Sequence, residues 1–495
     1  MRYSLLLPWL AACITPAVAA DPPTRDEAVA AVRKAGEFFR TRVASHGGYV
    51  WKYSSDLKHR QGEGVANENI IWVQPPGTPA VGLAFLEIYE ATGDRSALHA
   101  ARAAAEVLVK GQLHSGGWNY SITFDPKDRL KWNYRKPPSK GKPRIQSAAD
   151  SPGGWAEWRR RRYKGNMTMM DDETTQAALM LLMRVDRALG FKERDIHEAA
   201  EYALASIMRA QYAIGAWSHN YDRFPKKRPS AEYYPVKKAS YPETWSRTWT
   251  KDFTGCYELN DEITLDAIET LLEAHRIYKD AKFLTAAERG GSFLILAQMP
   301  DPQPAWAQQY DRHMHPVWER KFEPPAISGY ESQSAVATLL RLYERTGDRK
   351  YLAPVAKALA YLRRSKLKDG RLARFYELKT NKPLYFTKKY RLTDDPRNVP
   401  THYGFVVESR MDALEAWYRR LKQNGPKSKP PAATRAQLAG DMRRIIDAMD
   451  RRGAWTEPGW VRDANGRKVT PRDGIILSAT FIANVRTLCR YIASR

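Results

Sequence analysis

The chain is long and basic, with 495 residues, 80 Lys and Arg against 55 Asp and Glu, and 43% hydrophobic residues. This composition indicates a globular protein with a large core, in one toroidal domain or in two domains. Only three Cys are present, which excludes a disulfide framework.

The first 20 residues have the features of a secretory signal peptide: Arg2, an apolar run, and small residues ending in AVAA before Asp21. The apolar run is too short to span a bilayer, so we expect an exported protein, secreted or periplasmic, without stable membrane insertion. The charge remains strongly positive without this leader. It predicts an acidic polysaccharide or a cell surface as the partner rather than nucleic acid, with simple solubility as the alternative. Cys256 and Cys489 are expected to be two buried free thiols, with a single disulfide between them as the alternative.

Helix hairpins recur along the chain. Residues 84–109 (AFLEIYEATGDRSALHAARAAAEVLV) resemble residues 338–363 (TLLRLYERTGDRKYLAPVAKALAYLR), and each segment has a Thr-Gly-Asp-Arg turn between two apolar-periodic helices. Residues 178–211 and 268–298 have the same form, as do the two closing helices around residues 409–421 and 475–492. Successive hairpins predict an all-α fold, either a solenoid or a closed α/α toroid.

The segments that follow the hairpins favour the toroid. A Gln, turn residues and an aromatic residue recur there, with Trp118 in GQLHSGGWNY, Trp217 in AQYAIGAWSHNYD and Trp306 in AQMPDPQPAWAQQYD. In a toroid these segments meet on one rim of a central groove, where Trp side chains can bind sugar rings. We therefore predict an α/α toroid, an incomplete α/α barrel with long irregular loops, and three substrate-binding Trp. The alternative is that these Trp close the hairpin ends.

The predicted organisation has four parts: a signal peptide (residues 1–20), an α/α-toroid catalytic domain (21–422), a linker (423–435), and C-terminal helices that pack on the toroid (436–495). Two basic segments rich in Pro interrupt the hairpin pattern, at residues 125–165 and 223–252. We predict that both are long loops that overhang the groove.

Acidic residues precede the first helix of two equivalent hairpins. Asp171 and Asp172 lie in MTMMDDETTQAAL, and Asp261 lies in YELNDEITLDAI. Helix N-capping can explain each cluster alone. Their equivalent positions, however, allow the fold to bring them to the same rim, where carboxylates without a cation would repel one another. An oxygen-liganded ion such as Ca²⁺ would relieve this repulsion.

Cationic residues lie on either side of the fourth hairpin. Arg320 lies in HPVWERKFEPPAISGYES before this hairpin, and Arg374 lies after it in LARFYELKTNKPLYF, which we interpret as a loop. Arg binds a carboxylate through two parallel hydrogen bonds, although a solvated basic surface is the alternative. A catalyst that abstracts a proton next to a carboxylate must neutralise that carboxylate, which arginines and a metal ion can do.

Several of these segments resemble the family 10 polysaccharide lyases, which are pectate lyases with an α/α toroid fold. ARFYELKTNKP is similar to the family signature Trp-Ala-Arg-Phe-Tyr followed by Thr-Asn-Arg-Pro, and WAQQYD, PVWERKFEPPAISGYES, MDDETTQ and LNDEIT resemble further family motifs. The resemblance runs from about Gly111 to Phe386. It implies calcium-dependent β-elimination of pectate, or polygalacturonate.

The resemblance also implies a role for each matching residue. Arg320 would abstract the C5 proton of galacturonate, and Arg374 would bind a neighbouring substrate carboxylate. Asp171 or Asp172, together with Asp261, would bind calcium and the substrate carboxylate. A guanidinium has a pKa above about 12, so a base at Arg320 requires alkaline conditions or help from calcium and hydroxide.

This sequence departs from the family signature at two cations. Lys382 and Lys388 stand where the family has arginine, and they would contact substrate without the paired hydrogen bonds of a guanidinium. These changes leave open an altered uronide preference or a loss of activity.

Two other functions are compatible with the residues. A glycoside hydrolase would use Asp172 and Asp261, or Glu323, as an acid/base pair without a metal ion. A non-catalytic or inactive α/α-repeat protein would bind acidic glycans through charge alone. In each case we expect a monomer.

Overall fold

The computed structural model describes residues 23–136, 165–251, 254–431 and 434–494. The predicted signal peptide and most of the basic segment 125–165 lie outside the described residues. Within the described ranges, no helix combines the length and the apolar character that crossing a bilayer requires.

Helices are the main regular structure of the described residues, and their lengths agree with the apolar periodicity of the sequence. They are α1 (Arg25–Phe38), α2 (Thr78–Thr92), α3 (Arg95–Gly111), α4 (Pro126–Arg129), α5 (Thr174–Ala188), α6 (Arg194–Ala210), α7 (Ile263–Tyr278), α8 (Ala281–Ala297), α9 (Glu331–Thr346), α10 (Leu352–Arg364), α11 (Met411–Asn424), α12 (Arg435–Asp447) and α13 (Ser478–Ala493). A π-helical turn (Phe39–Val43) and four 3-10 turns (Asp171–Glu173, Asn260–Glu262, Arg349–Tyr351, Pro396–Asn398) complete the set.

The repeated Thr-Gly-Asp-Arg turn ends one helix and starts the next. Gly93 and Gly347 have φ values of 70° and 72°, a left-handed conformation that glycine adopts at little cost. Their amides donate to the carbonyls of Tyr89 and Tyr343, which ends α2 and α9. The Asp94 side chain then caps α3. The predicted hairpins at residues 84–109 and 338–363 thus have one physical basis.

The hairpins assemble into the predicted α/α toroid. An inner row of helices is in contact in the order α13, α2, α5, α7, α9 and α11, and α3, α6, α8 and α10 pack outside as the second helices of their hairpins. The fold class predicted from the sequence is therefore confirmed. The closing helices differ from the prediction, because α11 packs on α9 and α10 whereas α13 packs on α2, α1 and α12. They form the two ends of the inner row rather than another hairpin.

Short antiparallel strands connect the helices and shape the rim. They are β1 (Lys52–Ser54), β2 (Arg60–Gln61), β3 (Val65–Ala66), β4 (Ile70–Trp72), β5 (Ser121–Thr123), β6 (Thr168–Met169), β7 (Asn220–Tyr221), β8 (Tyr257–Glu258), β9 (Gln309–Tyr310), β10 (Ala326–Ser328), β11 (Leu372–Ala373), β12 (Phe375–Glu377), β13 (Pro383–Phe386), β14 (Leu392–Thr393), β15 (Val406–Val407), β16 (Thr456–Glu457), β17 (Val461–Arg462), β18 (Lys468–Val469) and β19 (Ile475–Leu477). One sheet has the order β16-β19-β1-β2-β3 and joins the two ends of the described chain; another has the order β10-β12-β13-β14.

The segment LARFYELKTNKPLYF is a set of strands rather than the predicted loop. It forms β11, β12 and β13, and Tyr376 pairs with Ile327 of β10. Phe375 and Phe386 are fully buried, so these aromatic residues form the core of a small sheet. The sheet holds Arg374, between β11 and β12, in a fixed position at the rim.

The basic segment 223–252 is irregular over its described residues, as predicted, and it covers the chain around Arg320. The Trp249 indole donates to the carbonyl of Glu319 (2.9 Å), and the Trp318 indole donates to the carbonyl of Ser246 (2.8 Å). Cys489 is buried, but Cys256 is only half-buried, which corrects the prediction of two buried thiols.

Candidate active site

Two acidic 3-10 turns, Asp171–Glu173 and Asn260–Glu262, precede α5 and α7 and pack against each other. Asp172 and Asp261 have nearly equal φ values of 48° and 47°, a left-handed conformation that is strained for residues other than glycine. Within the described ranges, no side chain caps α5 or α7, so N-capping does not explain the two clusters. The repeated fold instead brings the two turns together on one rim.

The carboxylates of these turns carry more negative charge than their surroundings balance. Asp171 is buried; one of its oxygens accepts from the Tyr120 hydroxyl (2.7 Å), and the other has no hydrogen-bond partner in the part of the chain that the structure describes. Asp172 as a whole is exposed, but desolvation of its carboxylate, which accepts from the Gln74 amide (2.6 Å), followed by the charge of Asp261, raises its pKa to about 6. Burial, followed by the charge of Asp171, raises the pKa of Asp261 to about 7, although Arg320 opposes the shift.

These three aspartates fit an oxygen-liganded cation such as Ca²⁺. The donors are hard carboxylate oxygens, one of them a buried Asp171 oxygen without a partner, and the raised pKa values reflect uncompensated charge that a cation would neutralise. Asp171 and Asp261, whose ligand oxygens lie within 4.8 Å of each other, would hold the ion, with Asp172 beside them as a third charge. His219, whose ring nitrogen lies within 4.8 Å of ligand oxygens of Asp171 and Asp261, is not a typical ligand for calcium.

We expect the metal-free protein to lose stability as the pH rises from about 4 to about 7. In this window the folded state binds more protons than the unfolded state, because the folded pKa values of Asp172 and Asp261 are raised. Denaturation in EDTA should show that Asp172→Asn removes about 1 kcal/mol of this pH dependence after solvent screening is allowed for. Equal pH dependence in wild type and variant would contradict the shift. Ca²⁺ should stabilise the wild type at pH 7.5 more than at pH 4.5.

Arg320 lies between these acids and a buried glutamate. Its Nε and Nη2 donate to the two carboxylate oxygens of Glu323 (2.8 and 2.5 Å), and Nη2 also donates to Asp261 (3.0 Å). Glu323 is fully buried, whereas 34% of the Arg320 side chain is exposed. Burial acts to lower the pKa of Arg320, but Glu323 and Asp261 raise it above its ordinary value. In this arrangement the guanidinium keeps its proton.

Arg374 is held by two hydrogen bonds and two tyrosine rings, and Tyr403 links it to the Arg320–Glu323 pair. Its Nε donates to the Gly404 carbonyl (2.7 Å) and its Nη1 donates to Glu331 (3.2 Å). The rings of Tyr330 and Tyr403 lie 4.7 and 4.6 Å from the guanidinium carbon, which is cation–π geometry. These two tyrosines hold Arg374, rather than the aromatic residues of its own segment, which are buried in the sheet.

Tyr403 connects the two arginines and was not identified from the sequence. Its hydroxyl lies 3.3 Å from Glu323 while its ring contacts Arg374. Phe322 packs on Tyr403, with ring centroids 4.8 Å apart, and it also lies beside the Arg320 guanidinium. These aromatic residues are half-buried and adjoin the cluster, so they can contact a sugar ring there. Periodicity could not have revealed them, because Tyr403 lies in an irregular segment.

The three tryptophans predicted as sugar platforms are buried, and that prediction is wrong. At most 1% of Trp118, Trp217 or Trp306 is exposed. Each indole N–H donates to a backbone carbonyl near the end of the second helix of its hairpin: Leu108 (2.7 Å), Ile207 (2.9 Å) and Leu294 (2.7 Å). The repeated tryptophans close the hairpin ends, which was the alternative interpretation.

Lys382 and Lys388 are exposed on either side of β13. Within the described ranges, neither forms an ion pair with a carboxylate, in contrast to Arg320 and Arg374. Their proposed contacts with substrate stay predictions.

The fold and this rim define the class of the protein: an α/α toroid that gathers carboxylates and guanidinium groups at one site. Residues 144–372 match the model of the pectic acid lyase family, which confirms the resemblance seen in the sequence. The match supports a polysaccharide lyase. No curated protein matches the chain.

The chain is also similar to several solved structures. A family 10 polysaccharide lyase from Cellvibrio cellulosa, of which a mutant was solved with trigalacturonic acid, is 14% identical, with a TM-score of 0.42 over 70% of this chain and 98% of that chain. A D-mannose isomerase is 12% identical, with a TM-score of 0.48 over 95% and 99%. Cellobiose 2-epimerase from Bacillus thermoamylovorans is 13% identical, with a TM-score of 0.46 over 94% and 98%. At such low identity these likenesses carry no information on activity.

Proposed function

We propose that this chain is an exported, calcium-dependent lyase that cleaves pectate or a related polyuronate by β-elimination. The observation that carries the proposal is the contact between Arg320 and Asp261, because it brings the guanidinium to the paired acidic turns. Asp261 and Asp171 come from different repeats, and their ligand atoms lie within 4.8 Å of each other and of His219. The pectic acid lyase match supports the same chemistry. Export rests on the signal-like leader.

The two arginines can bind uronate carboxylates from fixed positions. Within the described parts of the chain, Nη1 of Arg320 and Nη2 of Arg374 have no protein acceptor, so each arginine keeps a donor for substrate. Arg374 is locked between two tyrosine rings, so little side-chain entropy is lost when it binds an anion. The half-buried Phe322 and Tyr403 can contact the sugar ring.

Elimination moves the C5 proton of the uronate to a base, forms the C4–C5 double bond, and breaks the bond between C4 and the glycosidic oxygen. Water then protonates the departing oxygen. When bound by the aspartates, calcium supplies positive charge that neutralises the uronate carboxylate and acidifies its α proton. Arg374 adds a second positive charge.

Arg320 is the proposed base, and its partners determine when it can act. The Asp261 carboxylate can pair either with the Arg320 guanidinium or with a bound cation. If Asp261 held the cation, it would give less negative charge to Arg320, whose raised pKa rests in part on Asp261. Hydroxide then deprotonates a small fraction of the guanidinium. This mechanism requires alkaline conditions.

We expect the full chain, given polygalacturonate and Ca²⁺ at alkaline pH, to produce the ultraviolet absorbance of an unsaturated uronide. EDTA should abolish the signal, and Ca²⁺ should restore it. Neutral polygalactan is the control substrate, because it lacks the carboxylates that the arginines bind. Reducing ends without the chromophore would contradict elimination, and salt-sensitive binding without turnover would indicate a non-catalytic glycan binder.

One observation favours a glycoside hydrolase as a second candidate. Asp172 is exposed and has a pKa raised to about 6, which suits a general acid, and Asp261 could act as its partner. A hydrolase of this kind would remain active in EDTA.

A further inference from the structure

A buried cluster of one histidine and two glutamates lies next to the candidate active site, and the proposed elimination does not use it. His219, Glu258 and Glu319 are 3%, 0% and 1% exposed, and their ligand atoms lie within 4.8 Å of one another. Among the described residues, the four carboxylate oxygens of Glu258 and Glu319 find no hydrogen-bond partner. Buried carboxylates are ordinarily hydrogen-bonded, paired with a cation or bound to a metal.

We propose that His219, Glu258 and Glu319 bind a divalent transition-metal ion, with Zn²⁺ as the best fit. His219 Nδ1 and Glu258 Oε1 lie 3.4 Å apart. Two ligands about 2.0–2.1 Å from zinc in a tetrahedron are about 3.4 Å from each other. A charge-assisted hydrogen bond would be shorter, at about 2.7–2.9 Å.

The donor set distinguishes this site from the proposed calcium site. One imidazole nitrogen and two carboxylate oxygens suit a borderline cation such as Zn²⁺, whereas the aspartate turns offer oxygen alone. A divalent ion would also balance the two glutamate charges. His219 would bind the ion in its neutral form, so metal and proton are alternatives at this ring.

The site would fix the segments that carry the candidate catalytic groups. Glu258 ends β8 two residues before Asn260, and Glu319 directly precedes Arg320. Gly255 passes so close that any side chain at this position would collide with the Glu319 carboxylate. An ion bound here would therefore connect the segment that carries Asp261 to the segment that carries Arg320. It would be a structural metal that positions both residues.

Elemental analysis of the full chain, equilibrated with Zn²⁺ and freed of excess, tests the proposal. We expect about one Zn²⁺ per wild-type chain, and an affinity lower by about 100-fold or more in Glu258→Gln and Glu319→Gln. Glu201→Gln is the matched control, because Glu201 lies beside the surface histidine His197; its Zn²⁺ content should equal that of the wild type. Sub-stoichiometric Zn²⁺ in the wild type, or undiminished Zn²⁺ in both glutamate variants, would overturn the site.

Thermal unfolding separates a shared metal ion from a shared proton. If Glu258 and Glu319 only share a proton, the amide introduced by Glu319→Gln can donate to Glu258, so this variant would be as stable as the wild type with or without Zn²⁺. We expect instead that Zn²⁺ raises the Tm of the wild type and leaves that of Glu319→Gln unchanged. If a variant does not fold, competition on the wild type still tests the proposal. Displacement of the bound Zn²⁺ by equimolar Ca²⁺ would contradict a site with an imidazole ligand. Zn²⁺ content does not depend on lyase activity, so the two proposals can fail separately.

Discussion

Replacing Arg320 with Lys is expected to lower kcat/KM on polygalacturonate by about 100-fold or more, and Arg320→Ala should abolish the activity. A lysine keeps the positive charge but cannot donate to both oxygens of Glu323 and to Asp261 at once, as the guanidinium does. It therefore loses the orientation that the buried glutamate imposes. Alanine loses the charge as well and leaves Glu323 buried without its main partner.

The pH profile shows whether residue 320 acts as the base. A lysine has an ordinary pKa of about 10.4, below that of arginine, so the residual activity of Arg320→Lys should peak at lower pH than the wild type if this residue accepts the proton. If the pH profile of Arg320→Lys equals that of the wild type, residue 320 is not the base and has only an electrostatic role. Arg184→Lys is the matched control, because Arg184 pairs with Glu273 away from the rim; its kcat/KM should stay at the wild-type value. An Arg320→Lys variant with full activity would contradict both roles.

The toroid and the meeting of the acidic turns could be predicted because both follow from repetition. Equivalent turns in successive hairpins occupy equivalent positions, so Asp171 and Asp261 had to approach the same rim once the hairpins closed. The role of Trp118 could not be predicted in this way. A repeated aromatic residue fits either a sugar platform or a plug, and only the helix carbonyl that receives its indole N–H distinguishes them.

The unpredicted parts of the site depend on contacts between distant segments. Tyr403 joins Arg374 to Glu323 across 29 and 80 residues of sequence. His219 and Glu319 are also remote from each other in sequence, and Glu258 between them is placed by the short pair of β8 with β9. Such pairs involve only two residues per strand, too few for a period to be read from the sequence.

Glu323→Gln is expected to destabilise the protein while moving its activity toward lower pH. The glutamine has the same shape, but its amide group would face guanidinium donors, and a partly buried charge would lose its main partner. We expect the free energy of unfolding to fall by about 2–3 kcal/mol, less than for a fully buried pair because Arg320 is partly exposed. Because Glu323 is also the largest charge that raises the pKa of Arg320, its removal should ease deprotonation of the base.

Denaturant unfolding and the pH dependence of kcat separate these two effects. Glu273→Gln is the matched control: Glu273 also pairs with arginines, Arg184 and Arg276, but toward the C-terminal ends of α5 and α7, away from the acidic turns at their starts. It should reduce stability without changing the pH profile, because neither arginine contacts the rim cluster. In Glu323→Gln the alkaline limb of the pH profile should move to lower pH, because Arg320 loses the charge that raises its pKa. The value of kcat at the optimum should still fall, because the guanidinium is less well positioned. A pH profile identical to that of Glu273→Gln would show that the Glu323 ion pair does not control the protonation of Arg320, and the base would have to be sought among the aspartates.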